Sequence, residues 1–492
     1  MPIRPKIKLF GYSTIVYGLA NLLTKIVVIT LVPLYTTYLT VFEVGLIVFL
    51  EMIELFVVTI IPIGCINAMW RYLPGEEVNI KNKIIISTFT IMFFSGLVLT
   101  ILLMLFQNNI SIFFNIPNND NLLFFVFISC FLQSMSHFIY ALLQYRNQAI
   151  FYLTLSLVQF LSLVGLTIYF IIYSDIGVIG IYYAKVLVFF ISLISVFFIL
   201  IKTTPALPSF NLIKKILKYG LPMIPMILLM PVLNVSDRYF LKIFASLEDI
   251  GRYGIAYKFG MLINMFLVIP INRSWGPQMF QVGNSLENNR EIHQDITFYY
   301  SFIGWFIIIG LSFFSDTIIS IFANEDYLSA AWLIPWVSLA YFIGGFKIFL
   351  IATASLADRT DLLIKAGLFT IIFNIILNYF LIKNYGVEGA VLSTILSNVI
   401  LIILLLNASS SINQFSWPIM KIIHGAIISG ILIITFENIR EITIDYSFLT
   451  KCLLLIAFPI LSVFTNLIGE KEMNGVRYLW SSILKKVKFN YE

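Results

Sequence analysis

Ionisable side chains stand inside long apolar stretches of this sequence, and those positions are where chemistry could reside. Seven are basic: Lys25, Lys185, Arg238, Lys258, Arg273, Lys347 and Lys451. Three are acidic: Glu51, Glu54 and Asp237. A charged group at the centre of a bilayer costs about 2.5 to 3.5 kcal/mol on insertion scales unless it faces a cavity or a partner, so each is a functional candidate. Glu51 and Glu54, three apart, share one helix face and could form a proton or sodium site or pair with Lys25. Tyr17, Asn21 and Lys25 recur at i, i+4 and i+8, with Thr14 near the same face, the pattern of a cavity wall. Arg238 follows Asp237 directly, so a local ion pair competes with contact to a ligand. Lys258 and Lys347 are further lumen candidates. Arg273 lies toward one span end, where snorkelling competes with a lumen role. Lys185 and Lys451 fall toward the outer ends of their spans and are left out of the site.

Other chemistries are excluded by their absence from the text. There is no Gly-rich phosphate loop ending in Lys-Ser/Thr and no Ser/His/Asp constellation in an aqueous segment. Cys65, Cys130 and Cys452 lie in apolar runs without a close pair, and His137, His293 and His424 are scattered, so neither a disulfide scaffold nor a zinc site is expected. The expectation is a protein that is not an enzyme, with no cofactor or bound metal, drawing energy from an ion gradient or a lipid gradient.

The elements that must position these charges are transmembrane helices. Of 492 residues 60% are hydrophobic and only 11% charged, where a soluble chain carries roughly a quarter charged. Fourteen candidate spans are centred in 11 to 39, 44 to 69, 84 to 107, 121 to 143, 149 to 174, 177 to 201, 213 to 245, 252 to 282, 292 to 322, 330 to 356, 362 to 384, 387 to 409, 417 to 436 and 447 to 468. The runs stay apolar over 18 or more residues, unlike the short alternating segments of a barrel. The fold class is therefore an all-helical polytopic membrane bundle.

The formal charge of +6 matters less than its distribution, and nucleic acid is not an expected partner. With the N-terminus in the cytoplasm, twenty basic residues fall on the cytoplasmic side, from Arg4, Lys6 and Lys8 through Lys214, Lys215 and Lys218 to Lys485, Lys486 and Lys488. Only Lys242, Arg252, Lys383 and Arg440 fall on the other. That asymmetry places both termini inside. No small-residue cleavage site follows a short apolar region at the start, so the first span is expected to remain as a signal anchor.

Compared with itself at a shift of 209, the chain aligns Gly11 with Gly220, Gly45 with Gly254, Gly177 with Gly386 and Gly180 with Gly389. Six spans per repeat is an even number, so the copies share an orientation and enclose a cavity. The expected organisation is an N-lobe over 1 to 201 with spans 1 to 6, and a C-lobe over 202 to 409 with spans 7 to 12. Residues 410 to 492 add spans 13 and 14 and a basic cytoplasmic tail. Pro222, Pro225 and Pro231 in the seventh span and Pro33 in the first are placed to bend helices.

At this point the sequence resembles the polysaccharide-transporter branch of the multidrug/oligosaccharidyl-lipid/polysaccharide exporter superfamily. The segment from Asn374 through Asn378, Gly386 and Gly389 to Ala390 is similar to that family's eleventh-to-twelfth span junction. Asp237-Arg238-Tyr239-Phe240-Leu241, Arg252-Tyr253-Gly254, Trp275-Gly276-Pro277 and Glu43-Val44-Gly45 support it in the expected order. The resemblance covers roughly residues 8 to 470 and implies a flippase of the bacterial cytoplasmic (inner) membrane. It would move an undecaprenyl-pyrophosphate-linked oligosaccharide, an O-antigen or capsule repeat unit, between leaflets by alternating access. Membrane lipid, a polysaccharide polymerase and a chain-length regulator are the partners it implies.

A pyrophosphate suits the cationic set. By the repeat shift Lys25 corresponds to Asn234, one turn from Arg238, so two cations approach the cavity from both lobes at similar depth. Arginine's fork binds phosphate oxygens in pairs and lysine supplies a point charge. Lys25, Arg238, Lys258, Lys347 and Arg273 form the expected substrate set, with Glu51, Glu54 and Asp237 in ion coupling or charge pairing. A lipid II flippase and a cation-coupled multidrug antiporter of the same superfamily are the alternatives; a cationic cavity disfavours cationic drugs.

Overall fold

The computed structural model describes residues 29–117, 121–272, 275, 286–356, 360–410, 417–442 and 448–469. Among them regular structure is helical throughout, with no strand. An apolar chain in lipid has no water to satisfy its backbone groups, and helices satisfy them locally. Among the described residues ten helices are long and apolar enough to cross a membrane, eleven if one bent pair is a single span. The exact count of fourteen is not reached among the described residues. The expected eleventh and twelfth spans run on as one 47-residue stretch, Leu362–Ala408. The apolar helix Phe448–Phe464 has only 17 residues, and most of the expected first span lies outside the described residues.

The chain divides into two compact units. The first lies within Met1–Lys258, Phe322–Ser329 and Ile371–Thr394. It opens with α1 (29–38), followed by α2 (Val41–Ile60), α3 (Cys65–Tyr72), α4 (Val78–Leu105), α5 (Gln107–Phe114) and α6 (Leu122–Tyr145). Next come α7 (Ala149–Ile168), α8 (Gly177–Thr203), α9 (Phe210–Gly220), α10 (Ile224–Phe244) and most of α11 (Leu247–Gly260). Helix α2 packs on α10 and α6, and α6 packs on α8 and α4.

Two helix starts in this unit are built alike. The Thr40 hydroxyl accepts from Glu43 N at 3.2 Å while Glu43 Oε2 accepts from Thr40 N at 2.8 Å. Before α11, Ser246 and Asp249 repeat the arrangement at 3.1 and 3.3 Å. Each pair satisfies donors that a helix start leaves orphaned. The two starts pack reciprocally: a Cβ on Gly45 would fall on the Leu247 carbonyl, and one on Gly251 would fall on the Val41 carbonyl. The contact therefore matches Thr40 with Ser246 and Gly45 with Gly251, three residues short of the 209 shift that aligns Gly45 with Gly254.

Of the seventh span's prolines only Pro231 sits at a bend, while Pro222 and Pro225 occupy the first positions of their helical segments. Segments Phe210–Leu229 and Pro231–Phe244 meet at 55°, where Pro231 lacks the N–H that would continue the helix.

The second unit lies within Phe259–Ile321, Ala330–Thr370 and Ile395–Glu492. Its centre is α12 (Leu286–Phe313), which is followed by α13 (Ser315–Phe322) and packs on α14 (Leu333–Gly345). Next come α15 (Lys347–Leu356), α16 (Thr360–Leu377), which crosses from this unit into the first, and α17 (Lys383–Ser410), which crosses back; α12 packs also on α18 (Ile419–Ile442) and α19 (Phe448–Phe464). An aromatic core holds the unit: the Tyr300 ring stacks on Phe342 at 5.3 Å, and its hydroxyl donates to the Phe342 carbonyl at 2.7 Å. Asn378–Ile382, between α16 and α17, is a π-helical turn, and at Gly386 the backbone breaks from helical geometry at φ 55°. That residue separates the two expected spans.

Candidate functional site

The first unit gathers three acids and three cations around α2, α10 and α11. Glu51 and Glu54 stand on one face of α2, as their spacing predicts. Lys258 Nζ of α11 lies 3.2 Å from Glu51 Oε1, and Lys185 Nζ of α8 lies 2.7 Å from Glu54 Oε1. The Lys258 ammonium is buried and also faces the Tyr35 ring at 5.8 Å, whereas the Glu51 side chain is 40% exposed. Glu51 thus presents the open edge of the cluster.

Asp237 and Arg238 form the third pair. Arg238 Nη1 donates to Asp237 Oδ1 at 3.2 Å and to the Asn234 carbonyl at 3.0 Å. Its guanidinium carbon sits 4.5 Å above the Tyr257 ring, a cation–π distance. The Tyr253 hydroxyl donates to the other Asp237 oxygen. Both charged side chains are buried, so each needs these partners: an ion taken from water loses several kcal/mol of solvation that only pairing and hydrogen bonding return. Glu51 also lies within the electrostatic reach of Lys185 and Arg238, which joins the pairs into one cluster.

Beside Asp237 runs a buried polar relay. Ser236 Oγ donates to Asn374 Oδ1 at 2.9 Å, Asn378 Nδ2 donates to Ser236 Oγ at 3.0 Å, and Ser393 donates to Asn378 Oδ1. The relay ties α10 to α16 and α17 within the first unit. Asn374 and Asn378 are one helical turn apart, so both amides face α10.

Ser236 also lines an apolar cavity of about 470 Å³, together with Met52, Phe56, Phe114, Val232 and Tyr239 among others. Met52 and Ser236 adjoin Glu51 and Asp237 in sequence, and none of the six charged residues lines the cavity.

The remaining expected residues fall elsewhere. Lys347 belongs to the second unit, mostly buried at the start of α15, with no ion pair or hydrogen bond among the described residues. Lys25 and Arg273 lie outside the described residues. Sequence reasoning set Lys185 aside and missed Ser236, Asn374, Asn378 and Ser393 as interacting groups. The signal for the asparagines was present, two amides at i and i+4 in an otherwise apolar run. Among the described residues no group of three or more His, Cys, Asp or Glu could hold a metal ion.

The sequence from residue 10 to 282, more than half of the chain, matches the model of a family described as polysaccharide biosynthesis protein. The chain belongs to that family. Among curated proteins no sequence matches. The family member's fold is similar to that of a lipid II flippase, MurJ, in an inward closed conformation, with a TM-score of 0.75 at 19% identity over 92% of this chain and 99% of that one. It is also similar to an inward-facing multidrug resistance MATE transporter of the MOP superfamily, with a TM-score of 0.60 at 15% identity over 80% and 94%. A MATE transporter in the straight conformation gives 0.55 at 14% over 82% and 96%. This member of the polysaccharide biosynthesis family therefore shares its fold with those MurJ and MATE structures. The multiple apolar helices make it a multi-pass membrane protein.

Proposed function

We propose that this protein moves an undecaprenyl-pyrophosphate-linked oligosaccharide, an O-antigen or capsule repeat unit, across the bacterial inner membrane by alternating access, coupled to an ion gradient. The observation that carries the reading is the set of charged side chains clustered among apolar helices in a chain of the polysaccharide biosynthesis family. In the cluster the three acids are matched one for one by Lys185, Arg238 and Lys258. Of the four cations left over, Lys451 donates to the Thr317 hydroxyl at 2.9 Å, so Lys347, Lys25 and Arg273 are the first contacts for the pyrophosphate. Arg238 joins them when Asp237 is held by Tyr253 instead. Glu51, at the exposed edge, is the candidate for ion coupling. The N-lobe over 1–201, the C-lobe over 202–409 and cytoplasmic termini are the frame for this transport, and a polymerase and chain-length regulator would act on the delivered units.

The experiment is deletion of the gene followed by analysis of lipid-linked intermediates and surface glycan. Completed repeat units trapped in the inner leaflet, with surface polysaccharide lost and drug tolerance unchanged, are the expected result. Lys347→Ala should lose export at normal protein abundance. The similarity to a lipid II flippase favours one second reading, and its outcome differs: lipid II would accumulate and cell-wall synthesis would stop. Raised sensitivity to cationic drugs with normal glycan would favour an antiporter.

A further inference from the structure

Arg71 and Lys215 take part in none of the ion pairs described. Arg71 stands in the last turn of α3 and Lys215 midway along α9, and these helices meet so closely that a Cβ on Gly64 would lie 2.6 Å from the Gly220 carbonyl oxygen. The approach brings Tyr72 and Tyr219 edge to face, with ring centres 5.9 Å apart. The Arg71 guanidinium carbon lies 4.6 Å from the Tyr219 ring centre and 5.9 Å from that of Tyr72. Lys215 Nζ lies 4.4 Å from the Tyr72 centre. Sharing one ring, the two charges stand no more than about 10 Å apart, a separation at which like charges still repel.

Neither cation has a carboxylate within ion-pair distance among the described residues, although Glu76 and Glu77 follow α3 directly. Two unneutralised cations pinned over two tyrosines make a site that an anion completes. The depth of the site names the kind of anion. Trp70 beside it is 42% exposed, as in an interfacial aromatic belt, and at the start of α9 Phe210 and the preceding Leu207 are 80% and 82% exposed. Exposed Lys214 and Lys218 continue along α9. Helix α9 opens the bent pair Phe210–Leu229 and Pro231–Phe244, and bare apolar residues beside lysines at the opening of a span suit the headgroup layer. The anions held at that depth are lipid phosphates.

We propose that Arg71 and Lys215, with Tyr72 and Tyr219 as their platform, bind the phosphate of a membrane lipid. The arginine fork would take two phosphate oxygens and the lysine a third. The site is independent of the transport reading above; if the lipid is the polyprenyl pyrophosphate of that reading, it is a loading position ahead of the central cluster.

The test uses the purified full chain and native mass spectrometry, titrating short-chain phosphatidylglycerol, phosphatidylcholine and a polyprenyl pyrophosphate. Wild type should retain the anionic probes in preference to phosphatidylcholine, and Arg71→Gln with Lys215→Gln should weaken that retention about tenfold or more. Lys202→Gln, another exposed cation, should leave it unchanged, and Arg71→Lys should weaken it less than Arg71→Gln, since the charge stays while the paired fork goes. The exposed Lys215→Gln change alone, read beside the unfolding temperature, separates lost binding from lost fold. A loss confined to the pyrophosphate identifies the carrier lipid, and a loss shared with phosphatidylglycerol identifies bulk phospholipid. Equal retention of anionic probes by wild type and the double variant, or no preference over phosphatidylcholine, would overturn the site.

Discussion

Lys185 Nζ stands 2.7 and 2.8 Å from the two carboxylate oxygens of Glu54, joining α8 to α2 across 131 positions of sequence. Both side chains are largely buried, at 15% and 9% exposure. Removing one partner strands the other charge, which costs about 3 to 5 kcal/mol, whereas replacing both with groups of similar volume is close to neutral. Glu54→Gln or Lys185→Met should therefore lower abundance and unfolding temperature, and the double change should restore both. Thermal unfolding of the purified variants checks this; no recovery in the double variant would assign the pair a role beyond structure.

The pair Asp237 and Arg238 tests differently, because Arg238 is also a proposed contact for the pyrophosphate. Arg238→Ala should abolish export, and Arg238→Lys should lose much of it, since the paired hydrogen-bond geometry goes with the guanidinium. Combining Asp237→Asn with Arg238→Gln should restore folding but not export. Recovery of export in that double variant would remove Arg238 from the substrate path.

Asn378 binds Ser236 and accepts from Ser393, all inside the protein. Asn378→Leu would leave these hydroxyls competing for fewer partners, at about 1 to 3 kcal/mol for each group left unsatisfied. A lower unfolding temperature, with partial rescue when Ser393→Ala is added, is the expected result. Equal unfolding temperatures for wild type and Asn378→Leu would show that the relay contributes nothing to stability.

The reciprocal contact of Gly45 with Gly251 admits no side chain. Gly45→Val should drive the starts of α2 and α11 apart, at the 1 to 3 kcal/mol typical of overpacking or somewhat more. Cysteines replacing Val41 and Leu247, joined by a short bis-maleimide in a background without native cysteines, should cross-link with Gly45 present and fail with Gly45→Val. Unchanged cross-linking would show that the contact tolerates the change.

Orientation is checked by single cysteines in the same background. One replacing Asn324 should label from outside intact cells, and one replacing Asn79 should not; both positions are exposed. Reversed labelling would invert the proposed topology.

The helical class was legible because apolar runs of span length admit one backbone solution in lipid. So was the break at Gly386, where a short NYG turn interrupts the run. The Asp237–Arg238 pair could be read from adjacency alone. The partners of Glu51 and Glu54 could not, because they arrive from helices 207 and 131 positions away and no local spacing encodes them. The sequence had pointed these acids toward Lys25, which lies outside the described residues. Lys185 was set aside from its position near a span end, a depth argument that ignored what faced it across the bundle. Asn374 and Asn378 stood in the text as family lettering; their hydrogen-bonded role needed the position of Ser236.

The one-to-one matching of acids and cations has an electrical consequence. Moved together as one body, six charges that sum to zero carry no net gating charge, so such a shift within the membrane is nearly blind to the transmembrane potential, at about 2.3 kcal/mol per uncompensated charge per 100 mV. Return of the empty carrier would then be electrically silent at these positions. Voltage would act on the loaded step, through the charge of the cargo itself, and the membrane potential would favour outward passage of an anion from a negative interior.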